Sequence, residues 1–342
     1  FKLDIKSIVS YRLPDYEGKR LKDPHVVIVG AGASIAACNK DKNGRAVPLL
    51  KNIHEVLGLT DELKKYNFSE EQMADFEKLF SDIYEKKQYK ALQKKLEYKI
   101  CEYFGKLVIP DEPTLYDYLI LSLTEKDAII SFNWDPFLMQ AYRRNMNVGN
   151  LPELIFPHGN SGVGICNKCR VKGYANCICP HCYGDLEQMP LLYPIGKKDY
   201  SGISVIKNEW ERAKFVLSKA AGITVYGYGA PVTDIEAVEL MKTANNISQM
   251  KDIAPFTIIN LAENEKEQRE KWLDFYDVRM MMYCNSFEET ILWRNPRVSL
   301  ETLFDAILQQ QPRSEEKSFK KFSSLGELQE FTKTITEFDM CI

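Results

Sequence analysis

The chain has 342 residues, of which 45% are hydrophobic and 27% charged, the balance of an ordinary globular protein. That excludes a largely disordered chain, and no apolar run approaches the ~18 residues that a membrane helix needs. Its 45 basic and 48 acidic residues leave a net charge of −3, which excludes a nucleic-acid binder driven by overall charge.

At about 150 residues per domain, this length suits two units or one large α/β domain with insertions. No signal peptide is visible in the sequence given. Nine cysteines is an odd count, and five fall between Cys166 and Cys182. A disulfide scaffold would be smaller and more evenly stapled, so the cluster reads as a metal site in a reducing compartment, the cytoplasm.

The first strong signal is residues 25–29, His-Val-Val-Ile-Val, a buried strand that ends in glycines. Residues 128–132, 153–156, 223–226 and 256–259 read as further strands, with 278–283 as one more. Near-continuous apolar strands with helices between them predict a doubly wound α/β fold, a parallel sheet covered on both faces. Residues 1–24 precede it, 25–300 form the main domain, and 301–342 form a tail with an amphipathic stretch at 325–338.

Two stretches interrupt the rhythm. Residues 60–110 read as a helical insertion, with Phe76, Leu79, Phe80 and Ile83 at helical spacing. Its lysines (Lys86, Lys87, Lys90, Lys94, Lys95) alternate with Glu77, Glu85 and Glu97, the pattern of a solvated helix face. Residues 161–190 hold the cysteines.

Gly30-Ala31-Gly32-Ala33-Ser34 follows the first strand and opens a helix. Glycines there let backbone approach a pyrophosphate, the helix start favours its charge, and Ser34 offers a hydroxyl donor. The hydride-transfer pattern G-x-G-x-x-G fails, because position 35 is Ile35. A second turn, Gly227-Tyr228-Gly229, follows the 223–226 strand, and Thr233 with Glu236 has capping-box spacing. Two such turns on one sheet suit two ends of one ligand.

Asn133 ends the second strand, and Asp135-Pro136 reads as a helix N-cap and first helical residue. His158 stands at the end of the third strand beside Gly159. If Asn133 and His158 share a crevice, one chemistry fits them. Releasing nicotinamide from NAD expels a neutral pyridine, so no general acid is needed. One histidine can act as base, and an asparagine can orient water or a ribose hydroxyl.

Cys166-x2-Cys169 and Cys179-x2-Cys182 are two knuckles suited to one tetrahedral, structural Zn2+, with Cys177 and His181 as spare ligands. The cluster lacks a basic and aromatic patch, so no nucleic-acid binding is expected. Cys38, Cys101, Cys284 and Cys341 read as isolated, packed or free thiols.

The order of these motifs resembles the sirtuin superfamily. Gly30-Ala31-Gly32-Ala33-Ser34 is similar to its first glycine motif, Asn133-Trp134-Asp135 to its Asn-Ile-Asp, and Pro157-His158-Gly159 to its Leu-His-Gly. The cysteine pairs follow directly, Gly227-Tyr228-Gly229 stands for Gly-Thr-Ser, and Ile259-Asn260-Leu261 resembles the adenosine-ribose strand. The resemblance implies a Rossmann-like domain with a small zinc ribbon and NAD as substrate. It also implies Asn133 and His158 as the catalytic pair. Asp135 would contact nicotinamide or its ribose; Gly30, Ala31, Gly32, Ser34, Gly227 and Tyr228 would line the pyrophosphate, and Asn260 the adenosine end.

Deacylating sirtuins carry Gly-Ile-Pro-Asp-Phe-Arg where this chain reads Gly44-Arg45-Ala46-Val47-Pro48. They carry Phe-Gly-Glu where it reads Ile195-Gly196-Lys197. Asn-Trp-Asp and Gly-Tyr-Gly-Ala-Pro-Val-Thr-Asp look more like bacterial sirtuin-like proteins of antiviral defence. That likeness implies an NAD glycohydrolase that must be gated, by homo-oligomerisation or by a partner such as a HerA-type ATPase. The other readings are an NAD-dependent protein-lysine deacylase and a non-catalytic NAD or ADP-ribose sensor.

Overall fold

The computed structural model describes residues 23–193, 204–229, 235–247, 255–259, 265–273, 281–298, 300, 303 and 317–339. Six parallel strands form the main sheet: β1 (His25–Val29), β2 (Ala128–Ser131), β3 (Glu153–Ile155), β7 (Gly222–Tyr226), β8 (Phe256–Ile259) and β9 (Met281–Cys284). Their order is β3-β2-β1-β7-β8-β9, so the chain builds outward from β1 on one side and then returns to build on the other. This is the doubly wound arrangement expected from the sequence. The last strand is described at Met281–Cys284, and residues 278–280 of the 278–283 run lie outside the described residues.

The continuous apolar run of β1 is explained by burial on both faces. Val27 and Val29 belong to one core, and Val26 and Ile28 to the other. All four are fully buried, as a central parallel strand requires, and each contributes roughly 1.5–3 kcal/mol. One core holds α7 (Leu115–Ser122), α8 (Phe137–Asn145) and the insertion. The other holds α9 (Ser204–Ser218), α10 (Ile235–Ile247) and Trp272 of α11 (Glu265–Leu273).

The insertion is several helices rather than one. After α1 (Ala31–Ala37) come α2 (Ile53–Val56), α3 (Thr60–Lys65), α4 (Glu70–Ala74), α5 (Phe76–Glu85) and α6 (Lys90–Gly105). The chain breaks at Asp75, whose backbone leaves the helical region and whose carboxylate accepts from the Lys78 N–H. It breaks again at Lys86 before a short 3-10 turn, Lys87–Tyr89. Phe76, Leu79, Phe80 and Ile83 face the core as their spacing predicts, while Lys86, Lys87, Lys90, Lys94 and Lys95 are exposed.

A small antiparallel sheet, β5-β4-β6, carries the cysteines: β4 (Val163–Cys166), β5 (Val171–Tyr174) and β6 (Glu187–Gln188). Beyond the short α12 (Ile291–Arg294), α13 (Leu325–Asp339) seats Leu328, Thr332 and Ile335 inward. The Gln329 amide donates to Arg144 O at 2.8 Å, and the Phe322 N–H donates to Tyr118 Oη at 2.9 Å, which fixes this segment against α7 and α8. No helix among the described residues is long and apolar enough to cross a membrane.

Candidate active site

The strand order reverses between β1 and β7, the place where open α/β sheets hold their ligands. Both glycine turns lie there and pack on each other. Gly30 N–H donates to Tyr226 O at 3.1 Å, and Gly32 N–H donates to Gly227 O at 2.9 Å. A Cβ on Gly30 would meet Gly227 O at 2.6 Å; one on Gly227, whose φ is +59°, would meet Ala33 N at 2.2 Å. The close approach that these glycines permit is therefore that of the two turns, and Ala31 beside them is exposed.

Behind the turn is a buried polar relay. Ser34, fully buried, donates to Asp135 Oδ2 at 2.6 Å and lies 2.7 Å from Tyr116 Oη. Since the one Ser34 proton goes to the carboxylate, the Tyr116 hydroxyl donates to Ser34. Asn133 Nδ2 donates to Gly30 O at 2.8 Å, to Ser34 Oγ at 2.9 Å and to Tyr116 Oη at 3.2 Å. The Ser34 hydroxyl thus bonds inward, to Asp135 and Tyr116. The reason is the buried carboxylate, which needs a donor more than an exposed anion does.

Asp135 supplies the expected capping hydrogen bond, but from one residue outside the cap position. The helix begins at Phe137, with Pro136 in the cap position and no side-chain cap. Asp135 Oδ1 still accepts from the Phe137 N–H at 3.2 Å, while its other oxygen takes the Ser34 proton. Burial pushes its carboxyl up to about 6, against the pull of the Ser34 and Phe137 hydrogen bonds. Burial, and then the Asp135 charge, also raise the Tyr116 hydroxyl. The neighbouring Cys38 thiol is pushed up to about 12 by burial, which removes it as a nucleophile.

His158 is half-buried in an aromatic setting. Its ring meets Phe132 edge-on at 4.9 Å between centroids and Trp210 of α9 at 5.8 Å. Phe132 in turn stacks on Tyr228 at 4.6 Å, so the second glycine turn, the Asn133 strand and the histidine loop share one apolar wall. Asn160, fully buried, ties that loop to the relay: its Nδ2 donates to Asn133 O at 3.1 Å and to Asp135 O at 2.7 Å. Gly159 has φ +74°, and a Cβ there would lie 2.0 Å from Pro190 O. Leu192 N–H donates to His158 O at 2.9 Å on the same side. Glycine is required because the loop turns left-handed against the exit of the small sheet.

The small sheet brings the sulfurs of Cys166, Cys169, Cys179 and Cys182 within 4.8 Å of one another. Tetrahedral zinc with Zn–S near 2.3 Å sets sulfurs roughly 3.8 Å apart, so the donor set fits a closed, structural site. The Cys169 N–H approaches Cys166 Sγ at 3.4 Å, the backbone support a thiolate ligand wants. Burial opposes ionisation of Cys179, yet hydrogen bonds from the backbones of Cys182 and His181 bring its thiol down to about 7. Cys177 and His181, the spare candidates, are not in the cluster; His181 is exposed. Arg170 and Tyr183 adopt positive φ in the turns that close the two knuckles.

The structure thus gathers Gly30, Ala31, Gly32, Ser34, Asn133, Asp135, Gly227 and Tyr228 at the switch point, with His158 beyond Phe132. Asn260, Asp234 and the Ile195-Gly196-Lys197 stretch lie outside the described residues. Tyr116, Asn160 and Trp210 escaped sequence reasoning. Tyr116 lies 82 residues from the serine it meets, and no local pattern marks such a pairing. Asn160 adjoins the histidine loop, but its acceptors lie across a strand.

No protein-family model matches the chain, and no curated protein matches it. Among solved structures the chain is similar to a Sir2 mutant with a p53 peptide and NAD (TM-score 0.39, 15% identity, covering 76% of this chain and 86% of that one). It is also similar to a mutant Sir2 homologue in complex with 2'-O-acetyl ADP ribose (0.40, 14%, 86% and 96%). A third is from a study of the mechanism and regulation of Sir2 enzymes (0.38, 16%, 77% and 88%). The likeness is loose in shape and low in sequence.

Proposed function

We propose that the chain is an NAD glycohydrolase that releases nicotinamide and leaves ADP-ribose. The observation that carries this reading is the relay from Asn133 through Tyr116 and Ser34 to Asp135, joined by Asn160 to the His158 loop at the switch point. Breaking the glycosidic bond of NAD needs little from the protein beyond placement. The leaving group departs neutral, the developing cation on the ribose favours a nearby carboxylate, and a base must activate the nucleophile. Asp135 is that carboxylate, held behind Ser34. His158 takes the proton from a water or a ribose hydroxyl. Asn133 uses Nδ2 for the relay, which reserves its carbonyl oxygen to orient the nucleophile.

The exposed start of α1 at Ala31 receives the pyrophosphate, with Tyr228 beside it; Asn260, outside the described residues, is assigned to the adenosine by resemblance alone. Zinc, when bound by Cys166, Cys169, Cys179 and Cys182, supplies only structure, since four thiolates leave no open position. Such an activity must be restrained in a cell, so a homo-oligomer or a partner ATPase gates it, in the cytoplasm and in the service of antiviral defence.

The test is incubation of the purified protein with NAD alone, following nicotinamide and ADP-ribose by chromatography. His158→Ala and Asn133→Ala are each expected to abolish release. Retained turnover in both variants would sink the mechanism. Nicotinamide release only in the presence of an acyl-lysine peptide would establish the deacylase reading instead.

A further inference from the structure

The outer edge of β3 is closed by two side chains. Among the described residues β3 is the edge of the main sheet, and no described strand pairs with the backbone groups of Leu154 and Phe156 on its far side. Lys172 of β5 donates through Nζ to Leu154 O at 2.7 Å. Glu209 of α9 accepts from the Phe156 N–H at 2.7 Å. The two side chains also pair with each other, Nζ lying 2.9 and 2.8 Å from the carboxylate oxygens. Both are buried, at 6% and 3% exposure, and Nζ sits 5.5 Å from the centre of the Phe156 ring. They also line a cavity of about 450 Å³ between the small sheet and α9, together with Cys166 and Arg170.

This pair belongs to three bodies at once. β5 carries Lys172, α9 carries Glu209, and the clamped peptide leads within two residues to His158. The residue after Glu209 is Trp210, whose ring flanks the imidazole. A buried ion pair is weak evidence for stability, because desolvation offsets most of its attraction. What it secures here is register: each charge fills a backbone valence that only one placement of β3 presents. The second link between α9 and β3, Arg212 with Glu153 at 2.9 and 2.6 Å, holds the far end of the strand instead.

We infer that Lys172 and Glu209 are positioning residues for His158, coupling the seating of the cysteine-bearing sheet to the placement of the imidazole. The inference rests on the reading of His158 as the base. It predicts that Lys172→Met with Glu209→Leu lowers kcat for NAD cleavage about tenfold or more and leaves KM within about twofold. A misplacement of ~1 Å can cost ~100-fold. Lys172→Met with Glu209→Gln restores part of kcat, because the amide oxygen can still accept from the Phe156 N–H without any charge.

The independent readout is the imidazole NMR spectrum, which holds only four histidines. The His158 signals, identified with His158→Ala, are expected to move in the apolar pair and return in part in the amide variant, while His25 and His54 stay put. Arg212→Met, which loosens α9 at the far end, is expected to leave the His158 signals in place. Should the apolar pair fail to fold, Glu209→Asp, too short to reach Phe156, is read in the same way. Unmoved His158 signals and unchanged kcat would overturn the inference, and so would an equal displacement in Arg212→Met. If the wild type cleaves no NAD but the His158 signals move, the positioning stands and the NAD reading alone falls.

Discussion

Replacing Asp135 by asparagine should change how stability depends on pH more than it changes stability at any one pH. The carboxyl is buried and titrates near 6 in the fold, against 3.8 for a free side chain. A raised carboxyl binds its proton more tightly folded than unfolded. Its contribution is therefore present below about pH 4 and is lost as pH rises through 6. The interval between the two values corresponds to roughly 3 kcal/mol. Asparagine cannot titrate, yet its amide oxygen can still accept from Ser34. Unfolding by urea, followed by tryptophan fluorescence from about pH 4 to 7, gives stability for both proteins. The wild-type value minus the Asp135→Asn value should fall by roughly 3 kcal/mol across that range. All other titrations are shared and cancel in the difference. A flat difference, or one that grows with pH, would refute the upward shift that burial imposes on this carboxyl.

Further expectations concern the elements around the site. Burial lowers the His25 imidazole to about 4, so its contribution is present above pH 6.5 and lost as pH falls through 4. His25→Gln should lose less stability on acidification, as the same urea titration would show. Gly159→Ala should cost clearly more than Gly44→Ala. Both have positive φ, for which a side chain costs ~1–2 kcal/mol, but only at Gly159 does the new Cβ meet a backbone atom, Pro190 O at 2.0 Å. Equal melting temperatures for the two variants would contradict the packing described for the histidine loop. Atomic absorption should find one zinc per chain in the wild type and almost none in Cys179→Ser, with the main sheet intact by circular dichroism.

The class of the fold, though not the order of its strands, was legible in residues 25–29, 128–132 and 223–226. A run of four or five apolar residues bounded by glycine or polar residues has few other uses in a folded chain. The cysteine spacing was equally local: two C-x2-C knuckles bring four sulfurs together almost wherever the intervening loop goes, and only the fate of Cys177 and His181 needed coordinates. The glycines were legible as a tight turn, but their partner was not. Gly32 meets Gly227 because β1 and β7 are neighbours, a pairing across nearly two hundred residues of chain that no window of sequence displays.

The same limit governs the site. Sequence marked Asn133, Asp135 and His158 by their positions at strand ends, since side chains there reach the crevice of a parallel sheet. It could not say that the Ser34 hydroxyl bonds to Asp135. That depends on which hydroxyl lies nearest a buried carboxylate, and Tyr116, which completes the set, comes from a helix with no local mark of the role. Nor could it show Lys172 and Glu209 as anything but two surface charges on separate elements. Only when β3 becomes the edge of the described sheet do its Leu154 carbonyl and Phe156 amide give those charges something to hold. Local pattern decided which elements form, because periodicity and turn chemistry act over a few residues. Tertiary structure decided what each polar group is for, because a buried donor or acceptor must be satisfied by whatever the fold places beside it.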